Sequence, residues 1–376
     1  MANSRPYEQD KPVEDMNIHE KRRYARFIGV KAPTRVSLAE LDEAIRLREI
    51  EIGALPSIVG VYEMRPSERE ELMYFTNATS RVSRSRTGYF CAFPEGDGVL
   101  RYEIFNKLYE QDIYVSKKMA QEYGLRNGDL VCGDIITVIY NKTNILRSVK
   151  YINEQAAKNL SERRAFTDIF KTAPNQAVRL SQSNPVIGLM SSLLCVGEGQ
   201  SVSVFCDDDT AQNVSSDLIV SLYRLFAGQI FCIYDKSLSE AIKTVKNPFA
   251  FTPDDDDENV FMLISRLQRL VELGENAAVV AYTKKENVID AFRHIAGNYG
   301  DGSITVFICG PAVCDTEAVV TIRGGKVILS ETQNKHFECI ASSERIKKFR
   351  KIKNSLHDSF PCELLEDFNG KMNKEK

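Results

Sequence analysis

Hydrophobic and polar positions divide this 376-residue chain into three successive rhythms. The first is helical. The stretch VSLAELDEAIRLREIEIGAL (36–55) repeats apolar residues at helical spacing and opens on Ser37, with Glu40 three residues later. That is the spacing of a capping box, in which each side chain satisfies the other residue's free backbone N–H. PSEREELMYF (66–75) offers the same spacing with Ser67 and Glu70, so residues 37–80 are expected to form a small helical region. Residues 1–36 are polar, hold Pro6, Pro12, Pro33 and the basic cluster Lys21-Arg22-Arg23, and are expected to be a flexible arm.

The second rhythm alternates. GYFCAF (88–93), GVLRYEIF (98–105), DIYVS (112–116), DLVCGDIITVIY (129–140) and NILRSVKYI (144–152) are β-rich runs separated by PEGDG, LRNGD and YNKTN. KKMAQEYGL (117–125) fits a short helix between strands. Five short strands with one helical insert predict a small closed barrel of the OB type over 84–153. A connector is expected over 154–184.

The third rhythm is strand then helix, repeated. SVSVFC leads into TAQNVSSDLIVSLYRLF, whose Val214, Leu218, Leu222 and Leu225 share a helical face. QIFCIY (229–234), the amphipathic ENVFMLISRLQRLVELG (258–274), AAVVAY (277–282), KENVIDAFRHIA, SITVFIC (303–309) and AVVTIR (318–323) continue it. An α/β domain with a mainly parallel sheet follows, over 185–340. Residues 341–376 read as a basic, polar tail, with six Lys/Arg between Arg345 and Lys353.

Composition narrows the class. The chain is 43% hydrophobic and 27% charged, ordinary for a globular protein. No apolar run is long enough to span a bilayer, and the N-terminal stretch has no apolar core, which speaks against a secretory signal. Nine scattered cysteines without a CxxC pair argue for reduced, buried thiols and a cytoplasmic protein. The net charge of −3 conceals a division: 81–180 holds 16 Lys/Arg against 11 Asp/Glu, whereas 207–260 holds 4 against 11. A polyanion is therefore expected to favour the first half.

Within the barrel, Leu100-Arg101, ten intervening residues, Asp112-Ile-Tyr114-Val-Ser116, then Leu125-Arg126-Asn127-Gly128-Asp129 with Gly133 resemble the RNA-binding domain of bacterial transcription termination factor Rho, in wording and spacing. FTDIFKTAPNQAVRL (166–180) is similar to the connector that follows this domain. The resemblance covers about 85–345 and implies an OB-like, cold-shock-type barrel for pyrimidine-rich single strands, followed by a RecA-like domain. It implies that Arg101 and Asp112 address a base edge, with Tyr114 nearby and Lys142 as a backbone contact. The chemistry is consistent: Arg offers fixed donors and Asp offers acceptors, a set able to read the polar edge of cytosine. The chain departs from the family at the stacking positions. Gly-aromatic-Gly-aromatic-Leu-Arg becomes Gly96-Asp97-Gly98-Val99-Leu100-Arg101, and Asp97 is expected to repel a phosphate. Tyr89, Phe90, Tyr102 and Phe105 are the aromatic candidates to replace the platform.

The same resemblance locates a nucleotide site and empties it. A phosphate loop needs glycines for converging N–H groups, a lysine and a Ser/Thr. Counted from Gly197-Glu-Gly199-Gln200, the family's Gly-Lys-Thr falls at Ala211-Gln212-Asn213, and three carboxylates, Asp207, Asp208 and Asp209, precede it with no neighbouring cation in the sequence. The metal-binding Asp falls at Thr283, the catalytic Glu near Asp235, and the arginine reaching a neighbour's phosphate at about Glu331. The loop that grips RNA is reduced to about 298–301.

Other chemistry is thin. Asp207–Asp209 and Asp254–Asp257 lack calcium-loop spacing, His336 and Cys339 form an isolated H-x-x-C, and no nucleophile constellation stands out among four histidines. The expectation is a non-catalytic Rho-like protein without cofactor or metal. It would bind single-stranded RNA or dock to Rho or polymerase-associated machinery, as a homo- or hetero-oligomer. A divergent active RNA-dependent ATPase and a purely structural interaction protein stand as alternatives.

Overall fold

The computed structural model describes residues 13, 16–28, 30–53, 66, 69, 81–102, 112–137, 144–157, 163–180, 184–226, 230–234, 250–251, 257–311, 315–328, 331–355 and 359–361. These fall into two units, Met1–Ser161 and Glu162–Lys376.

The first unit begins with a correction. Where a flexible arm was expected, residues Ile18–Ile28 form helix α1. Asn17 caps it: its Oδ1 accepts from the N–H groups of His19 (2.9 Å) and Glu20 (3.0 Å), and Glu20 returns a bond to the Asn17 N–H (2.9 Å). Met16, Tyr24, Ala25 and Ile28 then cluster with Leu41 and Ile45 of α2 (Leu38–Gly53). The apolar positions are few, but helical spacing puts them on one side, where α2 covers them. The predicted capping box of α2 is present, with the Ser37 N–H donating to Glu40 Oε2 at 2.8 Å and the Glu40 N–H to Ser37 Oγ at 3.4 Å. The second predicted capping box, Ser67 with Glu70, lies outside the described residues.

The barrel follows the predicted rhythm. Strands β1 (Arg81–Ala92), β2 (Gly98–Arg101) and β3 (Ile113–Val115) are joined through helix α3 (Lys117–Glu122) to β4 (Leu130–Thr137), β5 (Asn144–Ile152) and the short β6 (Gln155–Ala156). Ser116 caps α3 by accepting from the Met119 N–H. Strand order β3-β2-β1-β4-β5 is antiparallel, and a parallel pairing of β3 with β5 (Ile113 with Asn144, Tyr114 with Ile145) closes the ring. Five strands closed this way make an OB-like barrel without free edges.

The second unit opens with the connector 163–180, which is tied to the α/β domain rather than loose: Thr172 bridges to Asn298, Ala177 to Gly197, and the Val178 N–H bonds Val196 O at 2.8 Å. Helix α4 (Pro185–Leu189) precedes β7 (Ser201–Phe205), α5 (Asp208–Leu225), β8 (Ile230–Tyr234) and β9 (Ala250–Phe251). Next come α6 (Asp257–Glu272), β10 (Asn276–Tyr282), α7 (Glu286–Ile295), β11 (Gly297–Asn298), β12 (Ser303–Gly310), β13 (Ala318–Arg323), β14 (Lys326–Ile328) and β15 (Gln333–Asn334). Helices α8 (Phe337–Ile340) and α9 (Ser343–Ser355) and strand β16 (Ser359–Pro361) end the described chain, so the basic run of the expected tail is helical. The sheet runs β16-β14-β13-β7-β12-β10-β8-β9, and the ladders from β13 to β9 are all parallel. Strand β12 is buried throughout, as a strand with helices on both faces must be. The strands keep one direction across β7, but the connections diverge there: β7 leads to β8 on one side of it, whereas β12 leads to β13 on the other. The carboxyl edge of β7 is thus the switch point at which such sheets bind ligands.

Candidate nucleic-acid interface

The β2–β3 ladder brings the RNA-reading candidates together. Val99 pairs with Tyr114 and Leu100 with Ile113, so Arg101 and Asp112 are the next pair outward. Alternation puts Leu100, Ile113 and Val115 on one face and Asp97, Val99, Arg101, Asp112 and Tyr114 on the other. The apolar set suits a barrel lining. The polar face is equally covered: Arg101, Asp112 and Tyr114 are each 1% exposed, and Arg101 is among the largest fully buried side chains. The three predicted residues therefore share one face, but that face is closed in this conformation. Lys142 and Phe105 lie outside the described residues. Of the other aromatic candidates, Phe90 is buried, Tyr89 is half-buried, and Tyr102 is exposed beside Arg101.

Asp97 corrects an expectation. It does not present a carboxylate to a phosphate, because it is 3% exposed and held by Arg69. Arg69 Nε lies 2.7 Å from Asp97 Oδ2 and Nη2 lies 3.3 Å from Oδ1, a two-pronged pair. Nη2 also reaches Glu95 Oε2 at 2.8 Å, and the guanidinium carbon sits 4.6 Å from the centroid of the Phe93 ring. Tyr114 donates its hydroxyl to Asp97 Oδ2 at 3.1 Å. Sequence reasoning missed Arg69 entirely. It lies 28 residues from Asp97, and nothing local marks it as a partner of the barrel.

At the switch point the triple aspartate has a structural role. Only Cys206 and Asp207 separate β7 from α5, and Asp207 is the helix cap, its carboxylate accepting from the Thr210 N–H at 2.9 Å. That bond, and a second from the Thr210 hydroxyl, hold the Asp207 carboxyl below its usual range. Asp208 and Asp209 occupy the first turn, where carboxylates complement the helix dipole. The sequence showed no compensating cation, but the fold supplies one: Lys284 Nζ lies 2.8 Å from Asp208 Oδ2. Ala211, Gln212 and Asn213 are already inside α5, with Ala211 fully buried. Thr283 is buried after β10, where its hydroxyl accepts from the Lys285 N–H at 3.2 Å. Asp235 lies outside the described residues.

The glycines before β7 serve packing. Gly199 has φ +86°, and a Cβ there would stand 2.3 Å from the Asn298 nitrogen. The Gly197 N–H donates to Gln200 Oε1 at 2.7 Å, inside the motif itself. Glu331 pairs with Arg323 at 3.0 Å. The Tyr299 N–H bonds Gly302 O at 2.9 Å, so β11 and β12 are joined by a tight turn. Burial raises Cys206 and Cys309 to about 12, which keeps both as thiols. His336 faces Glu317 at 3.3 Å rather than a metal set, and among the described residues no group of three or more His, Cys, Asp or Glu forms a metal site. Among the same residues no helix is long and apolar enough to cross a membrane.

Comparison with known proteins agrees with the barrel. The family described as Rho termination factor, RNA-binding domain, matches residues 86–158. A transcription termination factor Rho from Streptobacillus moniliformis is 22% identical over 198 residues, covering 50% of this chain and 46% of that protein. The alignment thus spans about half the length of this curated relative. Among solved structures, an ATPase of the type III secretion system of pathogenic bacteria is 11% identical over 49% of this chain and 69% of its own, at a TM-score of 0.36. The ATP synthase subunit NeqB of Nanoarchaeum equitans is 12% identical over 51% and 63%, also at 0.36. Neither likeness bears on function. The barrel's closed topology and the family match agree: residues 86–158 form a barrel similar to the RNA-binding domain of termination factor Rho.

Proposed function

We propose that this protein is a non-catalytic Rho-like factor that binds single-stranded RNA through its barrel and acts in transcription termination or its regulation. The observation that carries the RNA half is the juxtaposition of Arg101, Asp112 and Tyr114 on one barrel face within the family-matched segment. Such a face reads bases by donors and acceptors while cations outside it track phosphates. The non-catalytic half is supported by the helix that begins at Asp208, which leaves no loop between strand and helix to surround a phosphate.

Fluorescence anisotropy with labelled pyrimidine RNA tests the first half. Binding is expected for the wild-type chain and a marked loss for the Arg101→Ala/Asp112→Ala variant. RNA-stimulated phosphate release tests the second, with no rate above background expected, and any such rate overturns the reading. A pull-down of the genuine termination factor, with and without ribonuclease, decides whether docking is direct. Retention after digestion supports regulation through a shared protein surface.

A further inference from the structure

Helix α9 carries charge that the barrel and the sheet leave unused. Its 13 residues hold six Lys/Arg against one carboxylate, Glu344, although 207–260 in the same unit holds 4 Lys/Arg against 11 Asp/Glu. The helix is anchored at both ends. Arg345 Nη2 donates to Ser191 O at 2.8 Å, and β16 beyond it pairs with β14, Ser359 with Ile328 and Pro361 with Lys326. Lys347, Arg350 and Lys351 stand at i, i+3 and i+4, so they share one side of the helix, and all three are exposed. Arg350 pairs with Glu338, with 67% and 68% of the two side chains exposed, and exposed pairs of this kind hold weakly. The described residues of this side, with Ser343, include neither an apolar side chain for a lipid surface nor a ring to stack a base. Lys347 and Lys351 lie about 6 Å apart along the axis, close to the separation of successive phosphates in a single strand.

We propose that the Lys347/Arg350/Lys351 side of α9 is a second contact for single-stranded RNA, one that holds phosphates and reads no base. The inference rests on the reading of the chain as RNA-binding and adds a contact outside the barrel, in the second unit. Lysine and arginine bind a phosphate backbone by releasing its counterions, which is independent of sequence and falls steeply with salt. Arg350 exchanges Glu338 for a phosphate, to which its planar guanidinium presents two N–H groups. Because the helix is held to the sheet and to Ser191, its cations are fixed in place before RNA arrives. The two contacts divide the work: the barrel selects bases, and α9 adds affinity without selecting.

The test uses the full chain and fluorescein-labelled cytidine, adenosine and uridine oligomers. Affinity is read by anisotropy between about 100 and 300 mM salt, where screening reduces a mere change of net charge beyond about 10 Å. In Lys347→Gln/Arg350→Gln/Lys351→Gln the slope of log affinity against log salt is expected to become shallower by about 2, three phosphate contacts at about 0.7 each. The fold-loss is expected to be equal for the three oligomers. Arg101→Ala/Asp112→Ala is expected instead to lose base preference and keep most of the slope. Lys347→Arg/Lys351→Arg, which keeps both charges, is expected to keep the wild-type slope, and a loss there overturns the contact. A triple variant with the wild-type slope overturns the helix contact and leaves the barrel reading intact. A shallower slope in the triple variant, with the barrel variant binding as wild type, overturns the barrel reading and supports the helix. Anionic phosphatidylserine vesicles that bind wild type but not the triple variant, with the RNA slope unchanged, assign this side to lipid and overturn the proposal. Absence of RNA binding by every form overturns both.

Discussion

Arg69 and Asp97 form a two-pronged ion pair at 2.7 and 3.3 Å, both nearly inaccessible, linking the segment before the barrel to the turn between β1 and β2. A buried pair of this kind contributes little relative to an apolar pair, yet losing one partner is costly because the other charge stays desolvated. Arg69→Ala is therefore expected to destabilise the first unit by about 3 kcal/mol, and Asp97→Asn added to it should recover most of that. Urea unfolding of the two single variants and the double variant closes the cycle.

Asp207 is a helix cap, its carboxylate accepting from the Thr210 N–H. Asp207→Ala should cost about 1 kcal/mol, while Asp207→Asn should cost less because the amide oxygen still accepts from Thr210. The pH dependence has a definite sign. The folded carboxyl titrates below its unfolded value, so its contribution is complete above the unfolded value and is lost as pH falls through the folded one. Thermal melts of wild type and Asp207→Asn should converge in acid and separate near neutrality.

Restoring the family's residues at 211–213 should fail to restore nucleotide binding. Ala211→Gly, Gln212→Lys and Asn213→Thr place the right side chains on a helix that has already begun at Asp208, with Asp208 and Lys284 paired in front of it. No rise in melting temperature with millimolar ATP and Mg²⁺ is expected from the triple variant. A rise would show that residue identity alone emptied the site.

Gly199→Ala combines a left-handed backbone with a Cβ 2.3 Å from the Asn298 nitrogen, so a loss of at least about 2 kcal/mol is expected by chemical denaturation. Gly124→Ala is its control for backbone strain: φ is +57° there, but nothing lies within 4 Å of the added carbon, and the loss should be smaller.

Much of this protein was legible in its sequence, because much of it is local. The capping box of Ser37 and Glu40, the five β runs and the strand–helix alternation all depend on spacing and on residues a few positions apart. The Leu-Arg and Asp-Ile-Tyr-Val-Ser words located Arg101, Asp112 and Tyr114, and antiparallel register explains why those separated words meet. What sequence could not supply were partners fixed only by folding. Lys284 reaches Asp208 across 76 positions because β10 ends beside the start of α5, and Arg69 reaches Asp97 across 28. The helix α1 was hidden because its few apolar residues become a core only when α2 lies against them. Local pattern thus determined the elements and candidate residues. Tertiary structure decided the charge balance and the access of the site, because desolvation and ion pairing depend on which distant side chains a closed barrel and a parallel sheet bring together.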